Sequence, residues 1–419
     1  MIRQYAQYAG LAAALTLLTA CSADNGTGVT GAPATPATAS AQEEYGQEFA
    51  NGDELPVSYA VSDVAATRAE PALAGNFRVC AWMYDDSDSD PKYNDGNEIL
   101  WIGSETAAGT SYRGETVGYD SQSGLWQTEE TYMWPQNWFG VDFYATYPAT
   151  APDISVATDD SDPLDPYSYK GVSLAAGQDN ALVTDLLYAF VKSHKNEVWT
   201  RPDKALPLTF GHAFTRLSFY GITENEGWHI SVADMSIHNL YTTGTFDLKK
   251  GEWNEASLAD RTYYNLTMNS NTPVEFTDET EGATALTSTA SPRMAIGQRL
   301  TAWDTDDTIA LNDAADGPKG CYLKIRCRIY TDDGGEVEQL FPTAESGLTY
   351  AYIYVPFGNE GVGSPDGWEA GRHYRYTLTF GGGYDDEGNP NIADDSVKVT
   401  ATITAWTPDD DLEGGDVVI

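Results

Sequence analysis

Apolar residues recur along this chain at every second position. In "LPVSYAVSDVAATR", Val57, Tyr59 and Val61 alternate with small or polar neighbours, the pattern of a half-buried strand. "GNFRVCAWMY" repeats it, with Phe77, Val79 and Ala81 on one face. "WFGVDFYATYPAT" and "TDLLYAFVKS" read as buried strands, and "LTFGHAFTRLSFYGI" as a longer strand-type run. The same character returns in "WHISVADMSIHNL", "GTFDLKKGEW", "RTYYNLTM", "YLKIRCRIYT", "LTYAYIYVPF", "HYRYTLTF" and "VKVTATITAW". Turn signals such as "NDG" (94–96) and "DDGG" (332–335) separate these runs. No helical period of ten or more residues interrupts them. Many short strands without intervening helices predict an all-β chain of antiparallel β-sandwiches. A length of 419 residues divides more naturally into two tandem sandwiches than one. The polar, proline-bearing "RPDKALP" (201–207) marks the break, giving domains at 69–204 and 205–419.

The first residues follow a different rule. "MIRQYAQYAGLAAALTLLTAC" has a basic head at Arg3, an apolar run from Leu11 to Leu18 and small residues before Cys21, the form of a secretory signal over residues 1–20. Leu18-Thr19-Ala20-Cys21 resembles a bacterial lipobox, in which the cysteine becomes the lipidated first residue. Acyl chains on Cys21 would hold the chain to a membrane surface. Residues 22 to about 54 are rich in Pro, Gly, Ser, Thr and Ala and read as a flexible tether. The segment that follows contains a single arginine, Arg68; reading back from it, the nearest basic residue is Arg3.

Composition narrows the function. The chain carries 63 acidic against 23 basic residues, a formal charge of −40. Phosphates would be repelled, so neither a nucleic acid nor an anionic membrane is expected to bind through a basic surface. Aromatic residues are plentiful (Tyr 26, Phe 13, Trp 11) and suit pleated strands. Cys321 and Cys327 share a strand face but stand too far apart to bond, and Cys80 could pair with one of them only if the fold joins them. Buried free thiols are the expectation.

Candidate chemistry is sparse. Asp86, Asp88 and Asp90 alternate like the start of a calcium loop, but Pro91 stands where the turn glycine belongs and no glutamate closes the loop, so a solvated loop is expected. "GGGYDDEGNPNIADD" (381–395) reads as an acidic hairpin tip. None of the five histidines has a cysteine or second histidine at zinc-ligand spacing. There is no nucleophile elbow and no phosphate loop, and paired carboxylates carry no signal in so acidic a chain. No metal, cofactor or enzyme activity is expected. Trp134 and Trp138 in "MWPQNWF" offer a candidate ligand-stacking platform across a Pro turn, against the blander reading of a core tryptophan.

Several stretches, in order, resemble the fimbrillin family of Bacteroides-type bacteria. They are the lipobox and tether, "ATRAE", "WFGVDFYATYP", "TDLLYAF", "LPLTFGHAFTRLSF", "YIYVPF" and "VTATITAWTP". The resemblance spans nearly the whole chain, and the Phe-x-His-Ala-x-x-Arg-Leu-x-Phe segment is its most specific part.

The resemblance implies two transthyretin-like sandwiches and a pilus subunit delivered to the outer membrane as a lipoprotein. An arginine-specific surface protease would cut after Arg68, leaving Ala69 as the new N-terminus and removing residues 21–68 with the lipid and the first strand. The emptied groove would accept a strand from another pilus subunit, building a fimbrium for surface adhesion. Val397, Val399, Ala401, Ile403 and Ala405 alternate against Lys398, Thr400, Thr402 and Thr404, so 396–419 is the candidate donor, with "DVVI" (416–419) a second short one. The alternative expectation is a permanently anchored surface lipoprotein that binds glycan or a host ligand.

Overall fold

The computed structural model describes residues 55–405 apart from 64–72, 85–98, 136–139, 160–166, 180–182, 194–203, 224, 270–272, 301–319, 333–334, 357–366 and 382–396. No α-helix occurs among the described residues; the chain is all-β, as its alternating pattern predicts.

The N-terminal sandwich is built on an eight-stranded sheet. Its order is Ile99–Ile102, Phe77–Tyr84, Glu115–Asp120, Leu125–Thr128, Tyr59–Asp63, Leu206–His212, Leu187–Ser193 and Gly140–Tyr147. Gly140–Tyr147 also pairs with Phe77–Tyr84, setting Cys80 opposite Tyr144, which closes seven of the strands into a ring. Closure removes free edges and encloses one apolar core. Tyr59, Phe77, Val79, Trp126, Phe143, Leu208 and Phe210 meet in it. Alternation explains the choice: Phe77, Val79 and Ala81 face this core, while Cys80 and Trp82 face a second, larger one.

That larger core belongs to the C-terminal half. Its spine is the 20-residue strand Trp228–Asp247, bulged between Val232 and Asp234 and between His238 and Leu240. Asn239 takes a left-handed φ of 65° at the second bulge, a conformation Asn tolerates better than most residues. Tyr322–Asp332 pairs along the first half of the spine, and Ala351–Pro356 pairs with Tyr322–Asp332. Opposite lies a sheet ordered Thr284–Ala285, Thr215–Thr223, Arg372–Phe380, Val397–Ala405.

Two features depart from the expected plan. The pairing is not wholly antiparallel: Tyr59–Asp63 runs parallel to Leu206–His212, and Thr215–Thr223 parallel to Arg372–Phe380. Each parallel pair joins segments distant in sequence, as a parallel pair requires. The halves are also not cleanly separate. Ser104–Ala107, Ser111–Arg113, Ile154–Asp159 and Tyr167–Ala175 come from the N-terminal half but extend the spine's sheet. Leu206–His212 overlaps the expected break at 201–207 and still belongs to the N-terminal ring. The chain crosses to the C-terminal sheets at Ala213 and Phe214.

Candidate functional site

The first strand occupies a slot inside the closed ring rather than an edge. All five of its residues pair with Leu206–His212, from Tyr59 opposite Leu206 to Asp63 opposite Phe210. On its other side it makes one registered pair, Tyr59 with Trp126. The residues just before it complete the seam: Val57 N donates to the Tyr132 carbonyl at 2.8 Å and Trp134 N to the Leu55 carbonyl at 3.0 Å. Leu206 N donates to the Ser58 carbonyl at 2.8 Å. Leu55, Val57 and Tyr59 point into the core, and Val61 packs half-buried against it. Burying three such side chains contributes on the order of 5 kcal/mol.

One group in the slot is poorly served. Tyr59 is fully buried, its ring edge-on to Phe77 at 6.0 Å and to Phe143 at 6.2 Å. Its hydroxyl has no hydrogen-bond partner. Burial pushes its pKa up, with the phenol of Tyr132 adding to the rise. An unpartnered buried hydroxyl costs about 1–3 kcal/mol. The lead strand is thus well packed but not optimally satisfied. Alternation showed Tyr59 facing inward; it could not show that the phenol finds no acceptor there.

Arg68 and Ala69 lie outside the described residues, within the 64–72 link between Asp63 and Leu73. Cys21 and Trp138 also lie outside them, as do Asp86, Asp88 and Asp90. Trp134 corrects the expectation of a ligand-stacking face. It is 4 % exposed, with Trp101 at 6.1 Å and Phe143 at 5.6 Å against its ring. The main chain carries it there by joining Leu55 in the seam of the lead strand. Cys80, Cys321 and Cys327 are buried and free, and burial pushes the Cys80 thiol up to about 12, so it stays protonated. Among the described residues no cluster of three or more His, Cys, Asp or Glu side chains could hold a metal ion.

Val397–Ala405 forms the edge of its sheet. It pairs with Arg372–Phe380 through nine residues, setting Val397 opposite Phe380, Val399 opposite Leu378, Ala401 opposite Tyr376, Ile403 opposite Tyr374 and Ala405 opposite Arg372. Residues 406–419 lie outside the described residues.

The junction explains why "FGHAFTRLSF" has its composition. Phe210 ends in the N-terminal core, and Ala213 and Phe214 are buried in the larger one. The Ala213 carbonyl accepts from Trp253 Nε1 at 2.8 Å, and the Phe214 carbonyl accepts from Gly371 N at 3.0 Å. Leu217 and Phe219 then enter the C-terminal core.

The family model described as fimbrillin-like matches residues 67–406. The chain belongs to the fimbrillin-like family. That membership makes it a fimbrial or adhesin subunit of the cell surface. Among solved structures, a candidate cell-adhesion protein from Bacteroides uniformis is 13 % identical with a TM-score of 0.40, covering 84 % of this chain and 99 % of that one. One from Parabacteroides distasonis is 10 % identical with a TM-score of 0.42, covering 85 % and 97 %. The C-terminally truncated tip fimbrial protein of Porphyromonas gingivalis is 12 % identical with a TM-score of 0.26, covering 84 % and 99 %. No curated protein matches the sequence.

Proposed function

We propose that this fimbrillin-like chain is exported as a lipoprotein on Cys21, cut after Arg68 and polymerised by strand exchange into an adhesive fimbrium. The lead strand carries the reading. Of the seven strands in the ring, it alone precedes the 64–72 link. Hydrolysis of the Arg68–Ala69 bond by an arginine-specific surface protease would free that strand and leave every other strand covalently joined. Its departure would expose the edges of Leu206–His212 and Leu125–Thr128 and an apolar trough lined by Phe77, Trp126, Phe143 and Phe210. A strand of alternating apolar residues from another subunit satisfies both needs. Val397–Ala405 has that alternation in its sequence and, among the described residues, pairs only with Arg372–Phe380.

The arginines support a single cut. Each of the ten described arginines lies within a strand, where the backbone cannot enter a protease cleft without local unfolding. Arg201 precedes Pro202, whose ring and missing N–H disfavour cleavage of that bond. Arg68 is left as the candidate target beyond the signal segment. The partners are then the outer membrane through lipid on Cys21 before cleavage, the protease, and other pilus subunits.

The test is Arg68→Ala in cells that make the protease. Full-length, lipidated, unpolymerised protein is expected, against a mature N-terminus at Ala69 for the unaltered chain. Normal assembly of the variant would overturn the proposal.

A further inference from the structure

The outer face of the spine's sheet carries a feature that strand exchange does not use. Along Tyr322–Asp332, Leu323, Ile325, Cys327 and Ile329 face the core. Lys324, Arg326 and Arg328 take the alternate, outward positions. A two-residue repeat spaces these cations about 7 Å apart, so three of them span about 14 Å in a straight line. In a chain with 63 acidic residues, none of the three makes an ion pair with a carboxylate among the described residues. Each lies over a tyrosine instead. Lys324 Nζ is 4.3 Å from the Tyr352 ring centre, Arg326 Cζ 5.4 Å from Tyr350 and Arg328 Cζ 4.3 Å from Tyr330.

Two of the three rings are themselves braced. His229 stacks on Tyr330 at 5.0 Å, and the Tyr350 hydroxyl is 3.0 Å from Ser231 Oγ. A guanidinium laid on a braced ring keeps its N–H fork free and loses little entropy on binding a carboxylate or sulfate. Asp234 stands opposite Arg326 on the spine strand, and Glu275 lies one strand beyond, opposite Ser231, so an anion displaced from the line of cations toward the spine is repelled.

The shape of the face separates two kinds of anionic occupant. A protein partner needs apolar anchors that insert into pockets. Here each ring is covered by its cation, and among the ladder's tyrosines only Tyr352 stands well exposed, at 43 %. A flat row of evenly spaced donors suits an extended polymer with charges along its length. We propose that this face binds a linear anionic polysaccharide, lying along Tyr322–Asp332 with its carboxylate or sulfate groups on Lys324, Arg326 and Arg328. The proposal rests on the family's surface location and not on strand exchange.

The test uses the full mature chain on surfaces coated with heparin, with polygalacturonate or with neutral dextran. Binding to one or both polyanions, absent on dextran and weakened by salt, is expected. Preference for heparin would assign sulfate as the recognised group, and preference for polygalacturonate would assign carboxylate. K324Q/R326Q/R328Q should weaken binding at least tenfold at an unchanged melting temperature, and Arg326→Gln alone, at an exposed position, should weaken it measurably if the triple variant folds poorly. Wild-type protein that binds neither polyanion at low salt, or variants that bind as well as wild type, would overturn the proposal. Variants that keep glycan binding but lose self-association would make the face a contact between subunits and would overturn it too. Cleavage at Arg68 and polymerisation are read in parallel and should be unaffected, so the glycan site and the strand-exchange reading fail separately.

Discussion

His212 Nδ1 lies 2.6 Å from Asp185 Oδ2. The contact joins "TDLLYAF" to "FGHAFTRLSF" at the point where the chain leaves the N-terminal ring. Beside it, Ala213 N donates to the Leu186 carbonyl at 2.9 Å. The second Asp185 oxygen is buried without a partner, so the carboxylate depends on the imidazole. His212→Ala should destabilise the chain by about 1–3 kcal/mol, read as a lower denaturant midpoint. An unchanged midpoint would mean that the contact holds nothing together.

The Tyr59 hydroxyl has the opposite sign. Tyr59→Phe removes a buried polar group that has no partner and keeps the ring against Phe77 and Phe143. The uncleaved chain should gain about 1 kcal/mol. Tyr59→Ala should lose about 3–5 kcal/mol as a large cavity opens. Thermal unfolding of the two variants checks the pair of signs. A destabilised Tyr59→Phe would show that the hydroxyl is satisfied after all.

His238 makes stability sensitive to acid. Its pKa is lowered from 6.5 to about 4, first by burial and then by the Lys324 ammonium. The folded state therefore disfavours the protonated ring. The stability is intact above about pH 6.5, where both states are neutral, and falls as the pH drops toward 4, where the unfolded chain takes up the proton first. After discounting for the ring's partial exposure, the loss is about 2 kcal/mol. The difference in melting temperature between pH 7 and pH 4 should shrink in His238→Gln. An equal difference in both proteins would remove His238 from the acid response.

Arg293 staples a loop of the N-terminal half to the C-terminal core. It is 2 % exposed, stacks 4.3 Å above the Tyr264 ring and donates to the carbonyls of Ala176, Gly177 and Gln178. Burial pulls its pKa down to about 10, which still leaves it charged at neutral pH. Arg293→Lys keeps the charge but loses the fork that reaches three carbonyls. Hydrogen exchange should accelerate across 174–179 in Arg293→Lys and more so in Arg293→Met. Unchanged protection in both would show that the loop is held by other contacts.

How much of this was legible varies by residue. The inward set Val57, Tyr59 and Phe77 could be read directly, because a strand's side chains alternate and water excludes one face. That Cys321 and Cys327 do not bond each other was legible from spacing, but that Cys80 is also free was decided by the fold. Trp134 was not legible, since exposure of a lone tryptophan in a turn depends on which strand the turn joins. The break near 201–207 could not be placed from composition, because Leu206–His212 overlaps it and still closes the N-terminal ring.

The sequence by itself determined that the chain is all-β, strongly acidic and equipped with one conspicuous arginine after its first strand. These are properties of local pattern and composition, carried by periods of two residues and by counts of charge. Only the tertiary structure decided that the first strand fills a closed ring, that it runs parallel to a partner more than a hundred residues away, and that Lys324, Arg326 and Arg328 lie on tyrosines rather than carboxylates. Strand partners and ring contacts are set by register between distant segments, and one residue of slip would turn every side chain to the other face. Local pattern fixes which face of a strand is apolar, but the identity of its neighbour is settled only when the whole sheet closes.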